Sequence, residues 1–126
     1  MHTFKKSERL SSKKDISLLY SSGQSKNFYP LKIFWREHVF ENEFPVRVLI
    51  TVPKRSFKKA VDRNLLKRRI REAYRLNKTG LHESLNSSNK KIDLMILFVN
   101  KERSLYPEIE KALKKALDML INEYNK

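Results

Sequence analysis

The residues of this chain that could do chemistry are concentrated in a basic run between Lys54 and Arg75. These 22 positions hold ten Lys or Arg side chains and only two acids, Asp62 and Glu72. Arg presents a planar fork of donors that matches the oxygens of a phosphate group, and Lys supplies a point charge. The residue types therefore predict non-covalent binding of a polyanion.

The basic run also has the periodicity of an amphipathic helix that begins near Lys59 or Ala60. Its apolar residues recur at steps of three and four: Val61, Leu65, Leu66, Ile70, Ala73 and Leu76. At about 100° per residue, a second set falls within an arc of about 100°: Asn64, Lys67, Arg68, Arg71 and Arg75. A solvated helix face normally mixes the two signs of charge, whereas here only Glu72 interrupts the positive row. The pattern predicts a rigid helix whose cationic face binds a polyanion.

The composition agrees with a nucleic-acid partner. The chain of 126 residues carries a net charge of +14, has a pI near 10.1 and is 40% hydrophobic. A domain of this size buries about two thirds of its unfolded surface, so the charge belongs to a folded protein. Nucleic acid is the first expected partner and an anionic membrane the second, and the abundance of Arg favours RNA or DNA.

Several features exclude other classes of protein. The chain has no cysteine, which excludes disulfides and thiolate metal sites. Its first ten residues lack the apolar run of a signal peptide, and no segment is apolar over the length of a membrane span. The three histidines and the scattered carboxylates lack the spacing of a metal centre or a catalytic pair. We therefore expect a cytoplasmic protein that does not contact a membrane.

The elements that position the basic helix can be predicted from caps, turns and periodicity. In chain order they are a helix over Lys13–Ser21, a strand over Tyr29–Trp35, an acidic hairpin turn over Glu37–Pro45, a strand over Val46–Val52, the basic helix, a mobile loop over Asn77–Lys91, a central strand over Ile92–Val99 and a helix from Pro107. This order predicts a single α+β domain over residues 1–126.

The basic run resembles a known family, the protein subunit of bacterial ribonuclease P. The resemblance rests on Lys54-Arg55 and on residues 60–73, AVDRNLLKRRIREA, in which an Arg-Asn pair precedes Lys-Arg and a further Arg. It extends to the N-terminal segment, with Arg9-Leu10, and to Gly23 after the first helix. The similarity covers most of the chain, about residues 4–99.

The resemblance implies the fold of that family, which has the order α-β-β-β-α-β-α and a central mixed sheet. The same fold occurs in the second domain of a ribosomal protein of the small subunit. Its parallel strand–helix–strand unit corresponds here to Val46–Val52, the basic helix and Ile92–Val99. The resemblance implies a left-handed crossover for this unit, against the general right-handed rule.

The resemblance also implies that the protein assists a catalytic RNA. In the family, the RNA subunit hydrolyses precursor tRNA to remove the 5′ leader, with Mg²⁺ ions held mainly by the RNA. The small basic protein binds the catalytic RNA and also contacts the single-stranded leader. We therefore expect a protein that is monomeric by itself, has no catalytic residue and binds no metal tightly.

The resemblance assigns roles to individual residues. The RNA-binding residues would be Lys54, Arg55, Arg63, Asn64, Lys67, Arg68, Arg71 and Arg75. A leader cleft between the first helix and the sheet would be lined by Ile16, Tyr20 and Phe34. Alternation along its strand places Phe34 between two basic residues on a polar face, as expected of an aromatic that stacks on an RNA base. Ile16 stands where the family usually has an aromatic, so we expect apolar contact without stacking there.

Two alternatives are left open by the residues themselves. A ribosomal or other structural RNA-binding protein would share the charge but would not need a leader cleft. A self-sufficient metal-dependent nuclease would need a cluster of carboxylates, which the sequence does not suggest.

Overall fold

The structure is a computed structural model that describes residues 4–124, and these form a single α+β domain. The elements are a 3₁₀ turn at Lys6–Glu8, α1 (Lys13–Ser22), β1 (Gln24–Phe28), β2 (Leu31–Glu37), β3 (Val46–Thr51), α2 (Ala60–Asn77), α3 (Thr79–Ser87), β4 (Ile92–Phe98) and α4 (Tyr106–Tyr124). The predicted fold class and its mixed sheet are confirmed.

The four strands form one sheet in the order β1-β2-β4-β3. β1 pairs with β2 and β2 with β4, both antiparallel, whereas β3 and β4 are parallel and are connected through α2 and α3. β4 has six buried residues out of seven, because it lies inside the sheet with both faces covered. Its predicted central place is therefore confirmed.

The helices divide the apolar residues into two cores. α2 and α4 pack together on one face of the sheet over a main core that includes Leu31, Ile33 and Trp35. α1 covers the other face, over a second core formed by Leu10, Leu19, Phe34 and Met95. The outer surfaces of α2 and α1 therefore lie on opposite faces of the sheet, each above its own core.

Local signals predict both ends of α1. The Ser12 hydroxyl accepts a hydrogen bond from the Asp15 backbone N–H at 3.3 Å and caps the first turn. Gly23 is the C-cap of this helix, and glycine is required here because a Cβ would lie 2.4 Å from the Leu19 carbonyl oxygen. The predicted helix is therefore confirmed, with one further residue at its end.

The predicted hairpin across Glu37–Pro45 is wrong. β4 lies between β2 and β3, so the segment after β2 crosses two strand spacings, about 10 Å, before β3 begins. The nearly continuous apolar run of β4 suits a strand inside the sheet with both faces covered, and in that place β4 separates β3 from β2. The hairpin in this sheet is instead β1–β2, closed by the turn at Tyr29-Pro30.

The predicted mobile loop over Asn77–Lys91 is also wrong, because residues 79–87 form α3. Leu81 and Leu85 are fully buried on one side of this helix, and Ser84 between them is nearly so. α3 packs on α4, where Gly80 leaves room for Ile121. Apart from the half-buried His82, the remaining polar residues of α3 face solvent, so two leucines alone mark the buried side of this helix in the sequence.

The core side of α2 is narrower than predicted. Val61 is 77% exposed and Leu76 is 40% exposed, so neither belongs to the core. Val61 lies about 180° around the helix from Ile70, which is fully buried. In α4, by contrast, the apolar residues of one side are buried from Ile109 to Leu120. No helix in the described part of the chain is long and apolar enough to cross a membrane.

Candidate nucleic-acid interface

The cationic side of α2 is open to solvent along its middle turns. Its opposite side is buried through Leu66, Ile70, Ala73 and Tyr74. Asn64, Arg68 and Arg71 are exposed, and Lys67 is half-buried. Within residues 4–124, neither Lys67, Arg68 nor Arg71 forms an ion pair. We call these three cations with Asn64 the α2 face, and its positive charge is available to a ligand.

Arg63 holds the loop before α2 in place. Its Nη1 donates hydrogen bonds to the carbonyl oxygens of Phe57 at 2.7 Å and Lys58 at 2.9 Å. Phe57 is itself buried in the main core, so the loop is held both by this side chain and by the hydrogen bonds from Arg63. The loop carries Lys54 and Arg55, which are both exposed close to the start of the helix. Arg63 thus positions two other residues of the predicted interface.

Two further arginines of α2 also bind groups of the protein. Arg75 forms an ion pair with Glu72 one turn earlier. Arg69 donates from Nη1 to the Ser104 carbonyl oxygen at 2.6 Å and so ties α2 to the segment before α4. At about 100° per residue, Arg69 lies on the apolar flank of α2, which agrees with this contact. The interface is therefore a mixture of cations that support the fold and cations that are open.

The three predicted cleft residues lie together beside α1. The rings of Tyr20 and Phe34 are stacked, with centroids 5.1 Å apart and an angle of 18° between their planes. Ile16 is half-buried and packs against the second core. Tyr20 is 63% exposed whereas Phe34 is 6% exposed, so only Tyr20 offers an open ring face. The Lys32 ammonium lies 5.2 Å from the centre of the Phe34 ring and adds a positive charge nearby.

The expectation that Phe34 lies on a polar face is wrong. In the sheet, Phe34 is opposite Met95, which is in turn opposite Leu49, so an apolar row crosses the sheet at this level. α1 covers this row and buries the ring. The pattern of one strand missed this because the neighbouring strands supply the apolar partners. Phe34 supports the Tyr20 ring from below.

An ion-pair cluster that the sequence did not suggest lies between the first turn of α1 and the sheet. Arg47 on β3 donates from Nε to Oδ1 of Asp93 at 2.9 Å and from Nη2 to Oδ2 of Asp15 at 3.1 Å. Nδ1 of His38 lies 2.9 Å from Oδ2 of Asp93, which is fully buried. Partial burial raises the pKa of the Asp15 carboxyl, but the hydrogen bond from Arg47 and the charge of His38 outweigh it, so that this pKa is lowered. The cluster fixes α1 to the sheet.

The cluster does not fit a divalent cation. Ligand atoms of Asp15, His38 and Asp93 lie within 4.8 Å of one another, as in a metal site. The Arg47 guanidinium already contacts both carboxylates and supplies the positive charge that a metal would bring. These three residues therefore do not form a binding site for Mg²⁺.

A buried ion pair connects the N-terminal segment to the junction between α2 and α3. Nζ of Lys78 lies 2.5 Å from Oε1 of Glu8, and Glu8 is fully buried. His82 lies beside them, with Nε2 3.1 Å from the Tyr74 hydroxyl. Burial and the charge of Lys78 lower the pKa of His82 to about 4. The sequence contained a signal for this cluster only in Glu8, an acid within a basic segment.

The comparisons with known sequences agree on one family. The family model of Ribonuclease P matches residues 4–121. The ribonuclease P protein component of Porphyromonas gingivalis is 33% identical over 112 residues, which cover 89% of this chain and 82% of that protein. The protein component of Chlorobaculum tepidum is 37% identical over 116 residues, which cover 87% of this chain and 75% of that protein.

Solved structures show the same fold. The RNase P protein from Thermotoga maritima matches with a TM-score of 0.71 and 26% identity, over 89% of this chain and 96% of that chain. The RNase P protein of Staphylococcus aureus matches with a TM-score of 0.69 and 21% identity, over 89% of this chain and 94% of that chain. At the second identity, the likeness concerns the fold alone.

Proposed function

The chain belongs to the ribonuclease P protein family, and we propose that its α2 face binds the catalytic RNA while the Tyr20 side of α1 binds the 5′ leader of precursor tRNA. As a member of this family it is a subunit of ribonuclease P, a ribonucleoprotein that processes tRNA, and its partner is the ribonuclease P RNA. The proposal concerns which surfaces of the protein serve which RNA.

The observation that carries the proposal is the absence of ion pairs at Lys67, Arg68 and Arg71 within residues 4–124. Cations three and four residues apart on one helix repel each other, and this costs stability in the free protein. Phosphates of an RNA backbone would remove that repulsion, and binding them would release counterions. A rigid helix with open Arg side chains is therefore suited to a folded RNA.

The leader proposal rests on the stacked pair beside α1. A base of single-stranded RNA can stack on the open face of Tyr20, because the other face is supported by Phe34 at 5.1 Å. Lys32 lies close enough to attract the phosphate that follows the base. Ile16 adds apolar surface at the same site. The two RNA molecules would then occupy separate surfaces of one small protein.

We propose that hydrolysis is carried out by the RNA subunit with Mg²⁺ ions bound mainly to RNA. The metal would activate the attacking water and stabilise the leaving oxygen. The residues proposed for RNA binding are cations, one amide, one isoleucine and aromatic rings, so they include no carboxylate to hold Mg²⁺. Outside the holoenzyme we expect a cytoplasmic monomer.

A reconstitution assay tests the proposed function. The purified protein is mixed with precursor tRNA at low Mg²⁺, with and without a bacterial ribonuclease P RNA, and 5′ maturation is measured. We expect stimulation only when the RNA is present. Cleavage by the protein alone would assign the catalysis to the protein, and binding of RNA without stimulation would favour a structural RNA-binding protein.

Substitution of Tyr20 tests the leader site. Tyr20→Ala should weaken binding of precursor tRNA by the holoenzyme by about 1–3 kcal/mol, the usual contribution of one stacked base. The matched control is Tyr29→Ala, since Tyr29 is 70% exposed and lies at the β1–β2 turn. Mature tRNA, which has no leader, should bind equally well to both variants. An equal loss with mature tRNA would remove Tyr20 from the leader site.

A further inference from the structure

A pocket of about 260 Å³ lies between the N-terminal segment, the edge of β3 and α2. Three of its lining residues are cations, Arg9, Lys67 and Arg71, and no acid is among the described residues that line it. Most of the remaining lining is apolar and includes Phe4 and Ile50, which both pack against the main core. The pocket therefore combines positive charge with an apolar surface, which a site for phosphate alone would not need.

The pocket is open because the N-terminal segment pairs with only the first part of β3. The backbone N–H of Leu10 donates to the Val48 carbonyl oxygen at 2.8 Å, and Arg9 forms a parallel bridge with Val48. The named strand β3 continues to Thr51, so Ile50 lies beyond the covered part. The buried pair of Glu8 with Lys78 fixes the N-terminal wall beside α2.

The size of the pocket restricts its occupant. Sites for drug-sized ligands measure about 300–1,000 Å³, so this smaller pocket holds about one nucleotide. A duplex presents mainly phosphates and sugars to a protein and would use the cations only. An unpaired nucleotide offers a base for the apolar surface and a phosphate for the cations.

Arg9 strengthens this interpretation. Its guanidinium lies over the Phe4 ring, 5.4 Å from the ring centre, and Arg9 itself is exposed. A guanidinium placed over one ring leaves its other side to a ligand, and guanidinium groups stack on bases. The Phe4 ring is itself held by Tyr74 in an edge-on contact at 5.8 Å. The ring beneath Arg9 is therefore packed in place.

We propose that this pocket binds one unpaired nucleotide of the catalytic RNA. The inference rests on the proposed function, because Lys67 and Arg71 belong to the α2 face. It goes further by giving the face a site for a base in addition to its phosphate contacts. Part of the affinity for the RNA would then be independent of salt, since only the phosphate contacts release counterions.

A titration of the free protein tests whether a base enters. The methyl groups of the full chain are labelled, and uridine 5′-monophosphate, adenosine 5′-monophosphate or ribose 5-phosphate is added while NMR shifts are recorded. We expect both nucleotides to shift the Ile50 methyl signals, through the ring current of the base, and ribose 5-phosphate to leave them nearly unchanged. Equal shifts with all three compounds would overturn the proposal.

A variant that fills the pocket tests its use in the complex. Ser11 is exposed and lines the pocket, so Ser11→Phe should block it with little effect on folding. Ser87→Phe, at an exposed serine of α3 outside the pocket, is the matched control. We expect Ser11→Phe to weaken binding of the ribonuclease P RNA by about 5- to 100-fold and to lower the salt slope by at most about one, the contribution of one phosphate.

The outcomes separate this inference from the proposed function. If the unmodified protein stimulates 5′ maturation and Ser11→Phe binds the RNA as well as Ser87→Phe does, the pocket does not hold a nucleotide but the proposed function stands. If the unmodified protein neither binds the RNA nor stimulates maturation, the proposed function fails, and the titration with nucleotides still decides about the pocket. A loss confined to Ser11→Phe supports the inference.

Discussion

The α2 face and the α1 side of the sheet contain the same kind of cation in opposite states. On the α1 side, Arg47 contacts both Asp15 and Asp93 and is largely withdrawn from solvent. On the α2 face, Arg68 and Arg71 are exposed and have no ion pair within residues 4–124. The chain has 14 acids for 28 Lys and Arg residues, so only some of its cations can be paired.

The difference shows how the protein uses its few acids. A charge that is buried without a partner costs several kcal/mol, so the fold must pair the cations that it covers. Two acids provide such partners: Glu8 pairs with Lys78, and Asp93 pairs with Arg47. An exposed cation needs no partner to be stable in water. A partner within the protein, either an acid or a backbone carbonyl oxygen, therefore distinguishes cations that hold the fold from cations that are open to a ligand.

The largest expected effect breaks the paired side. Asp93→Asn keeps the shape of the side chain but removes the charge that balances Arg47 in a fully buried position. We expect the free energy of unfolding to fall by about 3–5 kcal/mol, the usual cost of breaking a buried pair. Urea unfolding followed by circular dichroism measures this change.

The matched control for Asp93→Asn is Asp62→Asn. Asp62 pairs with Arg103 at 3.7 Å where both side chains are partly exposed, so its loss should cost at most about 1 kcal/mol. The folded fraction of Asp93→Asn should bind the ribonuclease P RNA with the normal salt slope. Equal destabilisation by both variants would contradict the division into structural and open charges.

A pH titration sharpens the same comparison at the second paired cluster. Burial lowers the pKa of His82 from 6.5 to about 4 in the folded state. The unfolded chain therefore binds more protons between about pH 6.5 and 4, and stability must fall as the pH falls through this window. The contribution is on the order of 3 kcal/mol.

The measurement for His82 is the free energy of unfolding at pH 7 and at pH 4.5. His82→Gln should lose less stability between these two values than the unmodified protein, because it has no group that must be protonated. Asp15, whose pKa is lowered, also favours the folded state less as the pH falls, but it does so equally in both proteins. An identical loss in the two proteins would show that His82 does not titrate in this way.

The sequence predicted what depends on neighbours along the chain. The helix of the basic run follows from its own periodicity, and β4 follows from an apolar run too long to leave one face in water. α3 was missed because only Leu81 and Leu85 mark its buried side. The hairpin across Glu37–Pro45 was mispredicted because strand pairing depends on distant residues.

The spacing of residues in the sequence could not predict the charged clusters. Asp15, Arg47 and Asp93 come together from three distant segments, and no motif joins them. A signal did exist, since Arg47 and Asp93 each stand in a strand among apolar residues. An ionisable residue in such a strand requires a partner when it is buried. The identity of the partner, however, follows only from the register of the sheet.

A smaller effect is expected on the open side. Arg68→Ala should leave the stability of the protein nearly unchanged but should reduce the slope of log affinity against log salt by about one for each lost phosphate contact. Arg69→Ala is the matched control, because this neighbouring side chain donates to the Ser104 carbonyl oxygen at 2.6 Å. It should lose about 1–3 kcal/mol of stability and keep the slope. Interchanged results would reverse the assignment of the two arginines.

The smallest expected effect lies at the boundary between the two classes. Glu72 is the acid that pairs with Arg75 on α2, and its side chain is 45% exposed. Glu72→Gln should cost about 0.3–0.5 kcal/mol of stability, because the pair is one turn apart on a helix surface. It should also tighten binding of the ribonuclease P RNA by roughly twofold, since it removes a negative charge beside the cations. Glu123→Gln near the end of α4, where the acid is exposed, provides the control. Weaker RNA binding by Glu72→Gln would mean that Arg75 needs its acid partner to reach the RNA, and Arg75 would then belong with the cations that hold the fold.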